Sequence, residues 1–303
     1  MKISIGTRKS KLALWQAEFV ADQLRSAGAS VELVTMETKG DKKLDVSISK
    51  IGSKGVFTEE LEEKLANGEI DIAVHSAKDM QSSLPEGFQI IAFSEREQAN
   101  DVLISDQSVN LDKEGLVVGT SSTRRVATLR HYYPHIKIVD MRGNLQTRIQ
   151  KMRDGACDAL ILAYAGVHRM GYHDMIQQHL PLDKFTPAVG QGSVAIEVNQ
   201  NLAADKIAFV RDTLNHESTE QILRAERSYL RRLDGGCSIP VFGLARHEAG
   251  AIQMSGGIIS LDGQQKIDLQ QSGNDPEKLG VALAEEVLAA GGDQILREIK
   301  DSL

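Results

Sequence analysis

Cysteine is almost missing from this 303-residue chain: Cys157 and Cys237 stand far apart, with no Cys-x-x-Cys pair and no histidine at zinc-ligand spacing. A disulfide framework and a structural zinc site are therefore excluded as organising features, and no metal is expected. Long apolar runs are missing too. The longest, from Ala159 to Val167, falls well short of the roughly 20 residues that cross a bilayer. The opening Met1-Lys2-Ile3-Ser4-Ile5-Gly6 has no apolar signal core, which leads to the expectation of a cytoplasmic protein without a membrane partner.

What is present is ordinary globular material, 41% hydrophobic and 25% charged, in a length that suits two or three domains. The net charge of −7 is unevenly spread: Leu116 to Arg169 carries +6 and the remainder −13. An acidic chain with one basic zone points to a small, highly charged anion and away from nucleic acid.

Strands and helices alternate through the first third. Lys2–Ile5 reads as a strand, and Gly6-Thr7-Arg8-Lys9-Ser10 as a turn, with Ser10 capping a helix that carries Leu12, Trp15, Phe19 and Val20. Val31–Thr35 alternates as a strand. After a long polar connector, Gly40–Gly55, the residues Phe57, Leu61 and Leu65 recur at helical spacing, and Ile70–Val74 reads as a buried strand. The middle third repeats this plan: strands at Leu116–Val118, Ile136–Val139 and Ala159–Leu162, a turn Gly119–Arg125, and a helix from Asn144 to Asp154. Lys64-Leu65-Ala66-Asn67-Gly68-Glu69-Ile70-Asp71 resembles Lys151-Met152-Arg153-Asp154-Gly155-Ala156-Cys157-Asp158, so two α/β lobes of similar design are expected. The last third predicts a helix over Glu217–Leu233, short strands including a hairpin about Asp262-Gly263, and a final helix capped by Asp275 with Pro276 behind it. This is a small α+β domain.

Two Gly-Thr turns stand out for chemistry. A helix N-terminus favours anions through unpaired N–H groups and its dipole, and hydroxyls or guanidiniums add directional donors. Arg8 and Ser10 lie at the first turn; Thr120, Ser121, Ser122, Arg124 and Arg125 lie at the second, and neither turn is a Walker or dinucleotide fingerprint. Arg124, Arg125, Arg142 and Arg148 follow successive strand ends, where α/β sheets bind ligands. His75-Ser76-Ala77-Lys78-Asp79 follows a strand end as well, and leaves Asp79 as either a working carboxylate or a cap paired with Lys78. Gly235-Gly236-Cys237 allows an accessible thiol, although a lone cysteine is more often packed. Cys157, at the edge of a core strand, reads as packing.

These motifs together, with Gly6-Thr7-Arg8-Lys9-Ser10, Leu12-Ala13-Leu14-Trp15-Gln16, Arg142-Gly143-Asn144, Pro187-Ala188-Val189-Gly190-Gln191-Gly192 and Leu233-Asp234-Gly235-Gly236-Cys237-Ser238-Ile239-Pro240, resemble the porphobilinogen deaminase (hydroxymethylbilane synthase) family over most of the chain and in order. The resemblance implies two periplasmic-binding-protein-like α/β lobes around a cleft plus a small C-terminal α+β domain. Its expected boundaries are 1–97 with 193–214, 98–192, and 215–303, with Val194–Val198 returning as a strand to the first lobe. It implies a monomeric transferase of haem biosynthesis that joins four porphobilinogen molecules head to tail, releasing ammonia, on a dipyrromethane primer held by a thioether to Cys237. It implies Asp79 as the catalytic residue and Arg8, Ser10, Ser76, Lys78, Thr120, Ser122, Arg124, Arg125, Arg142, Arg148, Arg169 and Gln191 as primer- and substrate-binding residues. Lys50, Lys54 and Phe57 match the family's mobile loop. The rival reading, a bilobal protein that clamps an anion without chemistry, leaves the third domain and Gly235-Gly236-Cys237 unexplained.

Overall fold

The structure is a computed structural model that describes residues 1–38, 58–236 and 238–302. The chain divides into two compact units, Met1–Glu97 with Gly192–Gln221, and Gln98–Gln191 with Ile222–Leu303. Among the described residues no helix is long and apolar enough to cross a membrane.

The first unit is built on a five-stranded sheet. Strands β1 (Lys2–Arg8), β2 (Ser30–Met36) and β3 (Ile72–Ser76) run parallel, and β10 (Val194–Asn199) returns antiparallel between β3 and β4 (Phe88–Phe93). The returning strand is thus where the sequence placed it. Helices α1 (Lys11–Ser26) and α6 (Ala204–Leu214) cover one face, where Ile3, Ile5, Val74 and Ile196 pack with Val20 and Leu24. The other face meets α2 (Glu59–Ala66) through Leu61, Leu65 and Ala73.

The second unit repeats the plan with β6 (Val117–Gly119), β7 (Lys137–Val139) and β8 (Ala159–Ala163) parallel, and β5 (Asp101–Ile104) antiparallel between β8 and β9 (Ile176–His179). Its helices are α3 (Thr123–Tyr132), α4 (Leu145–Arg153) and α5 (Tyr164–Arg169). The same unit holds a three-stranded meander, β11 (Val241–Glu248), β12 (Ala251–Ile259) and β13 (Lys266–Gly273), with α7 (Glu217–Arg232) from Ile222 onward and helices α8 (Pro276–Val287) and α9 (Asp293–Asp301). These strands are longer than the short ones expected. Tyr229 of α7 explains the small residues opposite it: its ring is fully buried over Gly243 and Gly256, and its hydroxyl donates to the Gly257 carbonyl at 3.1 Å.

The internal repeat extends to single hydrogen bonds. In the first lobe Asp71 N donates to Ser4 O at 2.9 Å while Ser4 N donates to the Asp71 carboxylate at 2.8 Å. In the second, Asp158 N donates to Val117 O at 2.9 Å while Val117 N donates to the Asp158 carboxylate at 2.8 Å. Each aspartate thus clasps the first parallel strand from the chain end that follows Gly68 or Gly155, both glycines having positive φ as the reversal after a helix requires.

Candidate active site

Parallel strands deliver their carboxyl ends to one edge of a sheet, and in the first lobe that edge collects Arg8 from β1 and Ser76 from β3. Ser10 caps α1 by accepting from Ala13 N at 3.3 Å, and Thr7 Oγ1 reaches the Ala13 carbonyl at 3.1 Å, so the Gly-Thr turn fixes the helix entry. Past Ser76 the chain makes one turn of 3₁₀ helix, Ala77–Asp79, with Lys78 and Asp79 half-buried. The Ala77 amide donates to the Ser193 carbonyl at 2.9 Å, and Ser76 Oγ accepts from Gln16 Nε2 at 2.9 Å. Arg8, Ser10, Ser76, Lys78 and Asp79 therefore share one edge of one sheet.

The second lobe gathers its own set in the same way. Thr120 follows β6, its amide donating to Val139 O at 3.0 Å, and Ser122 caps α3 by accepting from Arg125 N at 3.5 Å. Arg142 follows β7, with Nε 3.2 Å from Asp140 Oδ2, and Arg148 Nε donates to the Gly143 carbonyl at 2.7 Å. Arg169 ends the short helix after β8. Arg142, Arg148 and Arg169 are each half-buried.

Arg124 and Arg125 have a partner that the sequence did not reveal. Asp101 opens β5, and because β5 runs antiparallel to β8, it sits opposite Ala163 at this same edge. Its carboxylate, fully buried, takes Arg125 through Nη2 at 2.7 Å and Nε at 3.1 Å, and Arg124 through Nη2 at 2.8 Å. Gln191 Nε2 adds a donor at 2.9 Å and also reaches the Ala99 carbonyl at 2.7 Å. Burial opposes ionisation, yet the two guanidiniums and Gln191 hold the Asp101 carboxyl far below the usual carboxylate range. One carboxylate against two guanidiniums leaves a charge of about +1, and Arg124 Nε is buried with no hydrogen-bond partner among the described residues. Both arginines are buried, at 5% exposure each.

Cys157 is buried, and burial pushes its thiol up to about 11, as suits a packing residue. Cys237, Lys50, Lys54 and Phe57, with the connector Gly40–Gly55, lie outside the described residues. Among the described residues no group of three or more His, Cys, Asp or Glu side chains is placed to hold a metal ion.

Residues 3–206 match a family model described as porphobilinogen deaminase, dipyromethane cofactor binding domain, and residues 221–289 match porphobilinogen deaminase, C-terminal domain. The porphobilinogen deaminase of Cytophaga hutchinsonii is 54% identical, with 99% of this chain and 98% of the relative covered. That of Desulfosudis oleivorans is 50% identical at the same coverage. Among solved structures, the VFT2 domain of BvgS from Bordetella pertussis aligns with a TM-score of 0.46 and 15% identity over 75% of this chain and 92% of that one.

Proposed function

The chain belongs to the porphobilinogen deaminase (hydroxymethylbilane synthase) family, and from that premise we propose how its own residues divide the work. The activity is that of a transferase of tetrapyrrole and haem biosynthesis: four porphobilinogen molecules are condensed head to tail, with release of ammonia, on a dipyrromethane cofactor. Each porphobilinogen brings an acetate and a propionate, so the demand on the protein is for cations that accept planar carboxylates and do not titrate.

The donor set of the second lobe fits such a group. Arg142, Arg148 and Arg169 are partly exposed guanidiniums at one sheet edge, and Thr120 and Ser122 supply hydroxyls beside them. Arg124, Arg125 and Gln191 serve this edge from beneath: held on Asp101, they keep a residual positive charge and the unpartnered Arg124 Nε. That orphaned buried donor is the single observation that carries the assignment, because a buried N–H is costly unless something accepts from it. In the first lobe Arg8, Ser10, Ser76 and Lys78 bind and orient the carboxylates of the incoming unit. Asp79 is the catalytic residue. Its carboxylate oxygens accept from pyrrole N–H groups, stabilise the cation left as ammonia departs, and take up the proton lost when two rings are joined. Bound dipyrromethane would supply the nucleophilic pyrrole α-carbon for the condensation. Cys237 would hold it by a thioether, and Lys50, Lys54 and Phe57 are assigned to the family's mobile loop.

The reading keeps three domains, 1–97 with 193–214, 98–192 and 215–303, in a monomeric cytoplasmic enzyme that engages neither nucleic acid nor membrane. The basic zone of +6 within a chain of −7 supports a small polyanion as its ligand. Intact mass spectrometry tests the assignment: the purified enzyme should be heavier by two linked pyrrole units, and Cys237→Ser should lack them. An active enzyme with unmodified Cys237 overturns it.

A further inference from the structure

One buried ionisable pair has no part in the chemistry above. On β3 the side chains of Ile72 and Val74 enter the core with α1, whereas Ala73 faces α2, and His75 lies on that second face. On β10, Glu197 stands opposite Ala73 on the same face, which places its carboxylate diagonally beside the imidazole. His75 Nε2 and Glu197 Oε2 are 3.0 Å apart, with side-chain exposures of 4% and 0%. Neither Glu197 oxygen nor His75 Nε2 has an aligned hydrogen-bond partner among the described residues, so the two groups meet by close approach within the core.

Such a pair is a poor way to hold two strands together. Apolar side chains of similar volume would stabilise the sheet at least as well, as Val74 and Ile196 do on the opposite face. Buried polar pairs that break the local pattern mark places where geometry matters more than stability. His75 is followed directly by the turn carrying Lys78 and Asp79, and that turn is gripped from three sides. Gln16 of α1 donates to Ser76, and Ser193 at the head of β10 accepts from Ala77. Beyond the turn, Gln81 Nε2 donates to Thr58 Oγ1 at 3.1 Å and Glu62 Oε1 at 3.2 Å, at the start of α2. Glu62 belongs to the same buried group: burial raises its carboxyl above the ordinary value, with Glu197 acting in the same sense and Thr58 and His75 against it.

We propose that His75 and Glu197 are positioning residues for Asp79, their buried contact fixing the level of β3 against β10 from which the Ala77–Asp79 turn springs, with Gln81 fixing its far end on α2. The inference rests on Asp79 being the catalytic carboxylate. A catalytic group displaced by about 1 Å can lose on the order of a hundredfold in rate while the substrate still binds.

The test uses the cofactor-loaded enzyme and compares His75→Ala, His75→Gln, Glu197→Gln, Gln81→Ala and Asp79→Asn for kcat, KM, adduct mass and thermal midpoint. His75→Ala, Glu197→Gln and Gln81→Ala should lower kcat by roughly tenfold or more. KM for porphobilinogen and adduct loading should stay within twofold, and His75→Gln, which retains a donor at the Nε2 position, should recover most of the rate. The Lys78 and Asp79 backbone amide resonances should shift in Glu197→Gln. A merely structural role would move the thermal midpoint and leave kcat per loaded enzyme untouched. Parental kcat in folded, loaded Glu197→Gln and Gln81→Ala overturns the proposal, and those two milder variants decide it should His75→Ala fail to fold. Parental turnover in Asp79→Asn would instead remove the catalytic reading itself.

Discussion

Asp101 meets Arg125 in a two-point contact, Oδ1 to Nη2 at 2.7 Å and Oδ2 to Nε at 3.1 Å, with no part of the aspartate reaching solvent. Arg124 closes on the same carboxylate. Removing the carboxylate leaves two buried guanidiniums facing one another, so Asp101→Ala should destabilise the protein by about 3–5 kcal/mol. The urea midpoint reads this directly, and a midpoint equal to the parent's would show the pair to be incidental.

The same residue sets a pH dependence. Its folded pKa lies below its unfolded value of about 3.9, so the stability it contributes is complete above that value and is lost as pH falls toward the lowered folded one. Urea midpoints measured from pH 6 down to pH 3 should therefore fall less steeply with acid in Asp101→Asn than in the parent. Parallel curves would remove Asp101 from the acid response.

Asp79→Asn keeps the shape of the side chain while removing its charge and its ability to take a proton. Turnover should fall by on the order of a hundredfold or more, with the dipyrromethane adduct retained on the protein. Intact mass and single-turnover kinetics separate the two effects; near-parental turnover would take Asp79 out of the mechanism.

Arg142 Nε meets Asp140 and Arg148 Nε meets the Gly143 carbonyl, and each guanidinium presents its donors as a rigid planar fork that matches a carboxylate. Lysine cannot reproduce that fork. Arg142→Lys should therefore raise KM for porphobilinogen or reduce the adduct nearly as much as Arg142→Ala does. A lysine variant with parental KM and full adduct would assign the residue to the surface.

Much of this was legible in the sequence because it is local. Ser10 and Asp275 cap the helices they precede, and the Lys-x-x-x-Gly-x-x-Asp repeat marks the same structural step in both lobes. Asp101 was not legible: it stands before Val102-Leu103-Ile104 like any strand-end acid, and its meaning depends on pairing with Ala163 and on Gln191, 90 positions away. Arg124 and Arg125 were found by type and position, but a position at a helix start does not tell whether a guanidinium turns outward or back into the sheet. His75 and Glu197, similarly, lie 122 positions apart and meet only because β10 returns beside β3. Local codes are written in adjacent residues, whereas buried ion pairs are written in topology.

The first lobe is assembled from two distant stretches of chain, with β10 lying between β3 and β4 in its sheet. On the ribosome, therefore, the lobe begun first cannot be finished first. Until residue 199 has emerged, β3 presents an open edge, β4 has no neighbour, and His75 waits without its carboxylate. The intervening segment can close its own five-stranded sheet in the meantime, because every strand of that sheet lies between Asp101 and His179. The two five-stranded sheets thus become complete in the reverse of the order in which they are begun, and the turn bearing Asp79 is among the last parts of the first lobe to be set.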